Sequence, residues 1–284
     1  MVSQLALIVT DRLGWFIPSL YRWRNSYIHQ LIEELADEYA IQPKVEGSEV
    51  YAPSQIWTMW QQGLDQAPSV VAYCIQSMRR QGNVVVLDEK NLVNYIDVPS
   101  VIRSKVGAAI SYTHFSDYVR FAVLARHGGL WLDATVLCTG PIPMEAHEMP
   151  FYTFRQRAAP NVKMANSWWK GYIQGTDGSS GIFEFCRCLL EAYWTKYNIL
   201  VDYFLIDHLL SYALSLPEYA GYSNDVPWVD RSIYWLEHHY TDVWRDEDED
   251  KIPNVSKLSY KTMDVENVSS DSVWVHVLQD HVLT

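Results

Sequence analysis

A helix that stops at two consecutive glycines and turns straight back into an apolar strand constrains this chain more than any other stretch. It is Ser116 to Thr135, SDYVRFAVLARHGGLWLDAT. Ser116 suits an N-cap and Asp117 the positive end of a helix, while Val119, Phe121, Ala122 and Leu124 supply apolar contacts up to Gly128-Gly129. Leu130 to Leu137 then reads as a buried strand. About eleven helical residues rise about 16 Å, and three to five strand residues running back cover about 10–16 Å. The start of the helix therefore lies near Asp133. Asp117 and Arg120 share a helix face at i, i+3 spacing, so both can point to where Asp133 and Thr135 emerge.

Taken singly, Asp117 is a first-turn acid, Arg120 its intrahelical partner and Asp133 a strand-end turn residue. Their combination says more. S-D-x-x-R, then G-G-x-x-x-D with Thr135 two residues on, resembles the sugar-nucleotide glycosyltransferases that carry a DxD motif. It most resembles the bacterial capsular polysaccharide synthesis proteins of the glycosyltransferase family thirty-two type, in which D-A-T commonly occupies this place. The resemblance extends over roughly residues 53 to 275, is strong at 116 to 135 and looser elsewhere. It implies an α/β chain with a GT-A-like, Rossmann-type, mostly parallel sheet flanked by helices.

The same resemblance implies transfer of a hexose, with retention, from a nucleotide sugar, most simply a UDP-sugar, to a polysaccharide or lipid-linked oligosaccharide acceptor. Asp117 and Arg120 would then hold hydroxyls of the transferred sugar, and Asp133 the ribose and a divalent ion, Mn2+ or Mg2+, which neutralises the leaving diphosphate. Thr135 stands where the motif has its second aspartate. A neutral hydroxyl binds such an ion less strongly than a carboxylate, which leaves metal dependence open.

Along the rest of the chain, residues 1–45 read as an N-terminal helical extension and 46–284 as one catalytic domain. Residues 5–24 mix aromatics and arginines as a helix lying on a membrane surface does, and equally as a helical cap does. Ile56 to Trp60 reads as the first strand. By resemblance, Trp57 stacks on the nucleobase; Trp60 reads as core. A helix at 68–81, a strand at Val84–Leu87 and two short helices within 89–115 follow. This strand–helix–strand order predicts parallel pairing. Asp88, at that strand's end, is a ribose contact or a turn acid.

Further on, FYTFRQ reads as a strand, and Asn166, Ser167 and Trp168 line the donor pocket by resemblance. Helices follow at 181–197 and 202–216. Asp207, in the second, sits in an apolar setting, so it is either held by an arginine or exposed in the cleft. Resemblance adds a carboxylate of this region at the reacting face. The acidic run RDEDED lacks the glycine and terminal glutamate of a calcium loop. Lys257 and Lys261 are spaced so that a short extended or turn segment presents them to a pyrophosphate, or else they face solvent. Alternation in Val273, Val275 and Val277 predicts a final strand with Trp274 and His276 on one face, and the resemblance implies a C-terminal segment that completes the metal site, with His276 as its candidate ligand.

Composition removes other classes. With 22 basic against 34 acidic residues the net charge is −12, which disfavours nucleic acid as a partner. Four cysteines, with one C-x-C and no second pair at zinc spacing, fit a reducing cytosol. LALIV at 5–9 is too short for a signal core or a membrane span, so a cytoplasmic protein, peripheral at the inner membrane face, is expected. Twelve Trp and 19 Tyr suit sugar and base stacking as well as a large core. A sugar-nucleotide-binding protein without turnover and a two-carboxylate glycoside hydrolase are the competing classes.

Overall fold

A computed structural model describes residues 18–44, 47, 54–143, 145–156, 169–229 and 231–283. Its centre is a five-stranded sheet in the order β2 (Val84–Leu87), β1 (Ile56–Met59), β3 (Gly129–Leu132), β7 (Ile173–Thr176), β5 (Tyr152–Thr153). β1 runs parallel to both β2 and β3, whereas β7 runs antiparallel to β3 and to β5. The expected mixed α/β architecture is present, with four of the five strands pointing the same way.

Alternation along the strands builds two cores. Trp57, Met59 and Trp131 face a layer made by α1 (Pro18–Glu38), α4 (Tyr112–His127), α6 (Ile182–Lys196) and α7 (Leu205–Ala213). Ile56, Leu130 and Leu132 face α2 (Ser69–Arg79) and the C-terminal segment. The period of two assigns successive residues to opposite faces, which makes the strand register hard to slip. In α4, Tyr118, Val119, Phe121, Val123 and Leu124 are fully buried, and each such side chain contributes about 1.5–3 kcal/mol. α1 shares this core through Ile28, Ile32 and Leu35. Arg24 is buried against Asp202 at 2.5 Å, which fits the helical-cap reading of this segment rather than the membrane-surface one. Residues 5–17 lie outside the described residues. No described helix is long and apolar enough to cross a membrane.

Three local expectations need correction. Helix α4 starts one turn earlier than Ser116, because the Ser111 hydroxyl accepts from the His114 N–H and caps it. Ser116 instead donates back to the Thr113 carbonyl. The helix does end at the glycine pair: Gly128 (φ 66°) and Gly129 (φ 91°) adopt the left-handed backbone, and Gly128 N–H closes on Leu124. The strand expected over 130–137 breaks at a turn in which Val136 N–H donates to Asp133 O at 2.9 Å. Beyond it, β4 (Val136–Cys138) leaves the main sheet to pair with β9 (Val255–Lys257). The final strand is a helix, α9 (Val273–Val277), capped by Ser272, whose hydroxyl accepts from the Val275 N–H. Val273, Trp274 and Val277 form its buried stripe, a helical spacing that the valine alternation concealed.

Candidate active site

The break after β3 opens a cavity of about 860 Å³ over the end of the sheet. Asp117 and Arg120 of α4 enter it from one side, Asp133, Ala134 and Thr135 form its floor, and Asp207 enters from the first turn of α7. Lys170, Gly171 and Tyr172, leading into β7, close another side. Lys257 to Lys261, running out of β9, complete the wall.

Arg120 is the pivot. Only 3% exposed, its guanidinium binds Asp133 Oδ1 at 2.8 Å and Asp117 Oδ1 at 3.2 Å and lies 5.2 Å from the Trp131 ring centroid. Trp131 Nε1 donates to the same Asp133 oxygen at 3.0 Å. A carboxylate fixed by a guanidinium and an indole has one orientation, which is the preorganisation that polar recognition in a site needs. Gly171 makes room for this arrangement: a Cβ there would lie 3.0 Å from Arg120 Nη1 and 4.0 Å from Asp207 Oδ1.

Burial governs protonation here. Asp117 is raised to about 6, chiefly by desolvation, with Arg120 pulling down and Asp133 pushing up. Desolvation raises Asp207 further, to about 8, helped by the Asp117 charge and opposed by Lys170 and Arg120. Asp207 Oδ1 has no hydrogen-bond partner among the described residues. At neutral pH this group is therefore a carboxylic acid able to donate a hydrogen bond. Desolvation lowers Lys170, and Asp207 partly restores it.

Of the site residues expected from sequence, Asp117, Arg120, Asp133, Thr135, Asp207, Lys257 and Lys261 all border this one cavity. Trp57 does not. Strand alternation turns it into the helical layer, where it is 2% exposed, donates to Gly128 O at 2.9 Å and packs on Tyr95 and His127. Trp60, just past the end of β1, lines the cavity instead and meets Tyr260 edge-on, ring centroids 5.2 Å apart. His276 is also removed from the site: it stacks on Trp244 at 3.9 Å and pairs with Asp280 at 2.8 Å. Asp88 folds its own turn, accepting from Lys90 and Asn91 N–H groups. Asn166, Ser167 and Trp168 lie outside the described residues. Sequence reasoning missed Lys170, Gly171, Tyr172 and Glu237, which also line the cavity; the K-G-Y run directly follows the N-S-W-W stretch it did single out.

At the Thr135 position the donor set is a poor match for a divalent ion. Asp133 Oδ1 is already shared by Arg120 and Trp131, and the Thr135 hydroxyl accepts from Lys257 Nζ at 2.5 Å. An ion bound by that hydroxyl at about 2.1 Å would sit within about 5 Å of the ammonium, where like charges repel. Among the described residues no cluster of three or more His, Cys, Asp or Glu side chains is placed to hold a metal.

The cavity's charged side chains are Asp117, Asp133, Asp207 and Glu237 against Arg120, Lys170, Lys257 and Lys261. In a chain of net charge −12 this is a local concentration of cations, and protonation of Asp207 tips it positive. Such a site suits an anionic, hydroxyl-rich ligand. The family model described as capsular polysaccharide synthesis protein matches residues 19–277. No curated protein and no solved structure matches the chain.

Proposed function

Because this chain belongs to the capsular polysaccharide synthesis protein family, we propose that it is a glycosyltransferase of capsule synthesis. It moves a hexose from a nucleotide sugar, a UDP-sugar by preference, to a polysaccharide or lipid-linked oligosaccharide acceptor. The observation that carries this reading is Arg120, buried between Asp117 and Asp133 at the floor of a cavity that also holds lysines and aromatics. A mostly parallel sheet flanked by helices, with the cavity over its end, supports reading the domain as GT-A-like.

In this reading the Asp117–Arg120–Asp133 group holds hydroxyls of the donor. These groups are fixed before substrate arrives, so they stabilise charge developing at the anomeric carbon without reorganising. Asp207, protonated at neutral pH, donates a hydrogen bond to the sugar or the departing oxygen. Trp60 and Tyr260 offer the stacking surface for the base, a contact worth about 1–3 kcal/mol. Lys257 and Lys261 face the diphosphate. Transfer proceeds with retention in this proposal.

Release of nucleotide from a panel of UDP-sugars, with acceptor polysaccharide present, is the test. Asp117→Ala and Arg120→Ala are expected to abolish release while both variants remain folded by circular dichroism. Wild-type rates in either would remove that residue from the site. Binding of the donor with no release by the wild type would favour a sugar-nucleotide-binding protein, a reading to which the Thr135 replacement lends weight.

A further inference from the structure

The turn below the cavity carries its own cation. Antiparallel pairing of β9 with β4 sets Lys257 opposite Val136, and the Leu258 N–H donates to Thr135 O at 2.9 Å. This ladder presses Lys257 against the Asp133-Ala134-Thr135 turn. Its Nζ donates to Thr135 Oγ1 at 2.5 Å and to Leu258 O at 3.1 Å, with the Tyr172 ring centroid 6.0 Å away. An ammonium has three N–H donors, and these two bonds leave one for a ligand in the cavity that Lys257 lines. Beyond it, Lys261 lies exposed on the same wall, its Nζ 5.9 Å from the Tyr260 ring.

We propose that the Lys257 ammonium, seated on the Thr135 hydroxyl, takes the place of a divalent ion and holds the donor's diphosphate, so that transfer needs no metal. This rests on the nucleotide-sugar reading above. In the reaction the bond between the anomeric carbon and the β-phosphate oxygen breaks, and its electron pair stays on that oxygen. The acceptor's hydroxyl oxygen bonds to the anomeric carbon, and its proton passes to the departing diphosphate. Negative charge thus grows on the phosphate oxygen, where a fixed ammonium stabilises it more in the transition state than in the ground state. A lysine acts as a compact point charge here, and the hydroxyl that replaces a carboxylate keeps that charge from being neutralised.

The test is the affinity of the full chain for UDP, measured by titration calorimetry in EDTA and again with added Mn2+, for the wild type, Lys257→Met and Lys257→Arg. The wild type is expected to bind UDP equally with EDTA and with Mn2+. Lys257→Met, which keeps the stem, is expected to lose at least tenfold, unrelieved by Mn2+, and Lys257→Arg to retain most of the affinity. Wild-type binding that appears only with Mn2+ overturns the inference and leaves the nucleotide-sugar reading intact, as does wild-type affinity in a folded Lys257→Met. A wild type that binds no UDP under either condition overturns both. If Lys257→Met fails to fold, the EDTA and Mn2+ comparison on the wild type decides by itself.

Discussion

Asp207→Asn should make the protein more stable and less active, and the gain should depend on pH in a calculable way. Asp207 is 7% exposed and holds its proton to about pH 8, whereas in an unfolded chain it would ionise near its ordinary value of 3.8. Between those values the folded state binds more protons than the unfolded state, so stability falls as pH rises through the window. Each unit of pH within it costs about 1.4 kcal/mol. The penalty is about 2 kcal/mol at pH 5 and about 4 kcal/mol at pH 7, and it vanishes below pH 4. An asparagine of the same shape carries none of it. Lys170 loses little by the exchange, because at pH 7 its neighbour is already protonated.

Urea unfolding of both proteins at pH 5, 6 and 7 measures the difference directly. The stability gap should widen with pH while the slope against urea stays the same. A gap that is constant across pH would refute the reasoning, since it would mean that Asp207 is ionised in the folded state. Nucleotide release should move the other way and fall at least tenfold, because an amide N–H is a weaker hydrogen-bond donor to a departing oxygen than a carboxylic acid O–H. Unchanged release would exclude Asp207 from the chemistry.

Two other substitutions probe the shape of the site. Gly171→Ala puts a methyl 3.0 Å from Arg120 Nη1, so the guanidinium must shift by a few tenths of an ångström; nucleotide release should drop while the melting temperature changes by only a few degrees. Trp57→Ala and Trp60→Ala should separate fold from site: the first empties a core position and should cost about 3–5 kcal/mol in denaturant unfolding, with donor affinity of the folded fraction unchanged. The second should lower UDP affinity at least fivefold with little loss of stability, and the reverse pattern would put the base on Trp57.

The contrast between these two tryptophans shows where reading the chain succeeds and fails. Both lie in the first strand region, and resemblance favoured Trp57 because it sits inside the strand. Which of the two helical layers each residue meets is not written in IWTMW, and only the packed helices show that Trp57 is enclosed in the layer of α1, α4, α6 and α7. His276 failed for a related reason, since V-W-V-H-V satisfies both a strand and a short helix and a serine cap decided between them. The start of α4 was misplaced because Ser111 and Ser116 are both good caps by type, and Ser111 is the one whose hydroxyl meets a free N–H.

From sequence alone came the glycine stop, the reversal into β3, and the meeting of Asp117, Arg120 and Asp133. Each depends on chain geometry over a few turns, where rise per residue and side-chain period are properties of the backbone itself. Tertiary structure decided that Lys257 reaches Thr135 across 122 residues, that Trp60 rather than Trp57 faces the cavity, and that Asp207 keeps its proton at neutral pH. Those facts depend on which surfaces exclude water from one another, and desolvation is a property of the assembled fold that no local stretch carries.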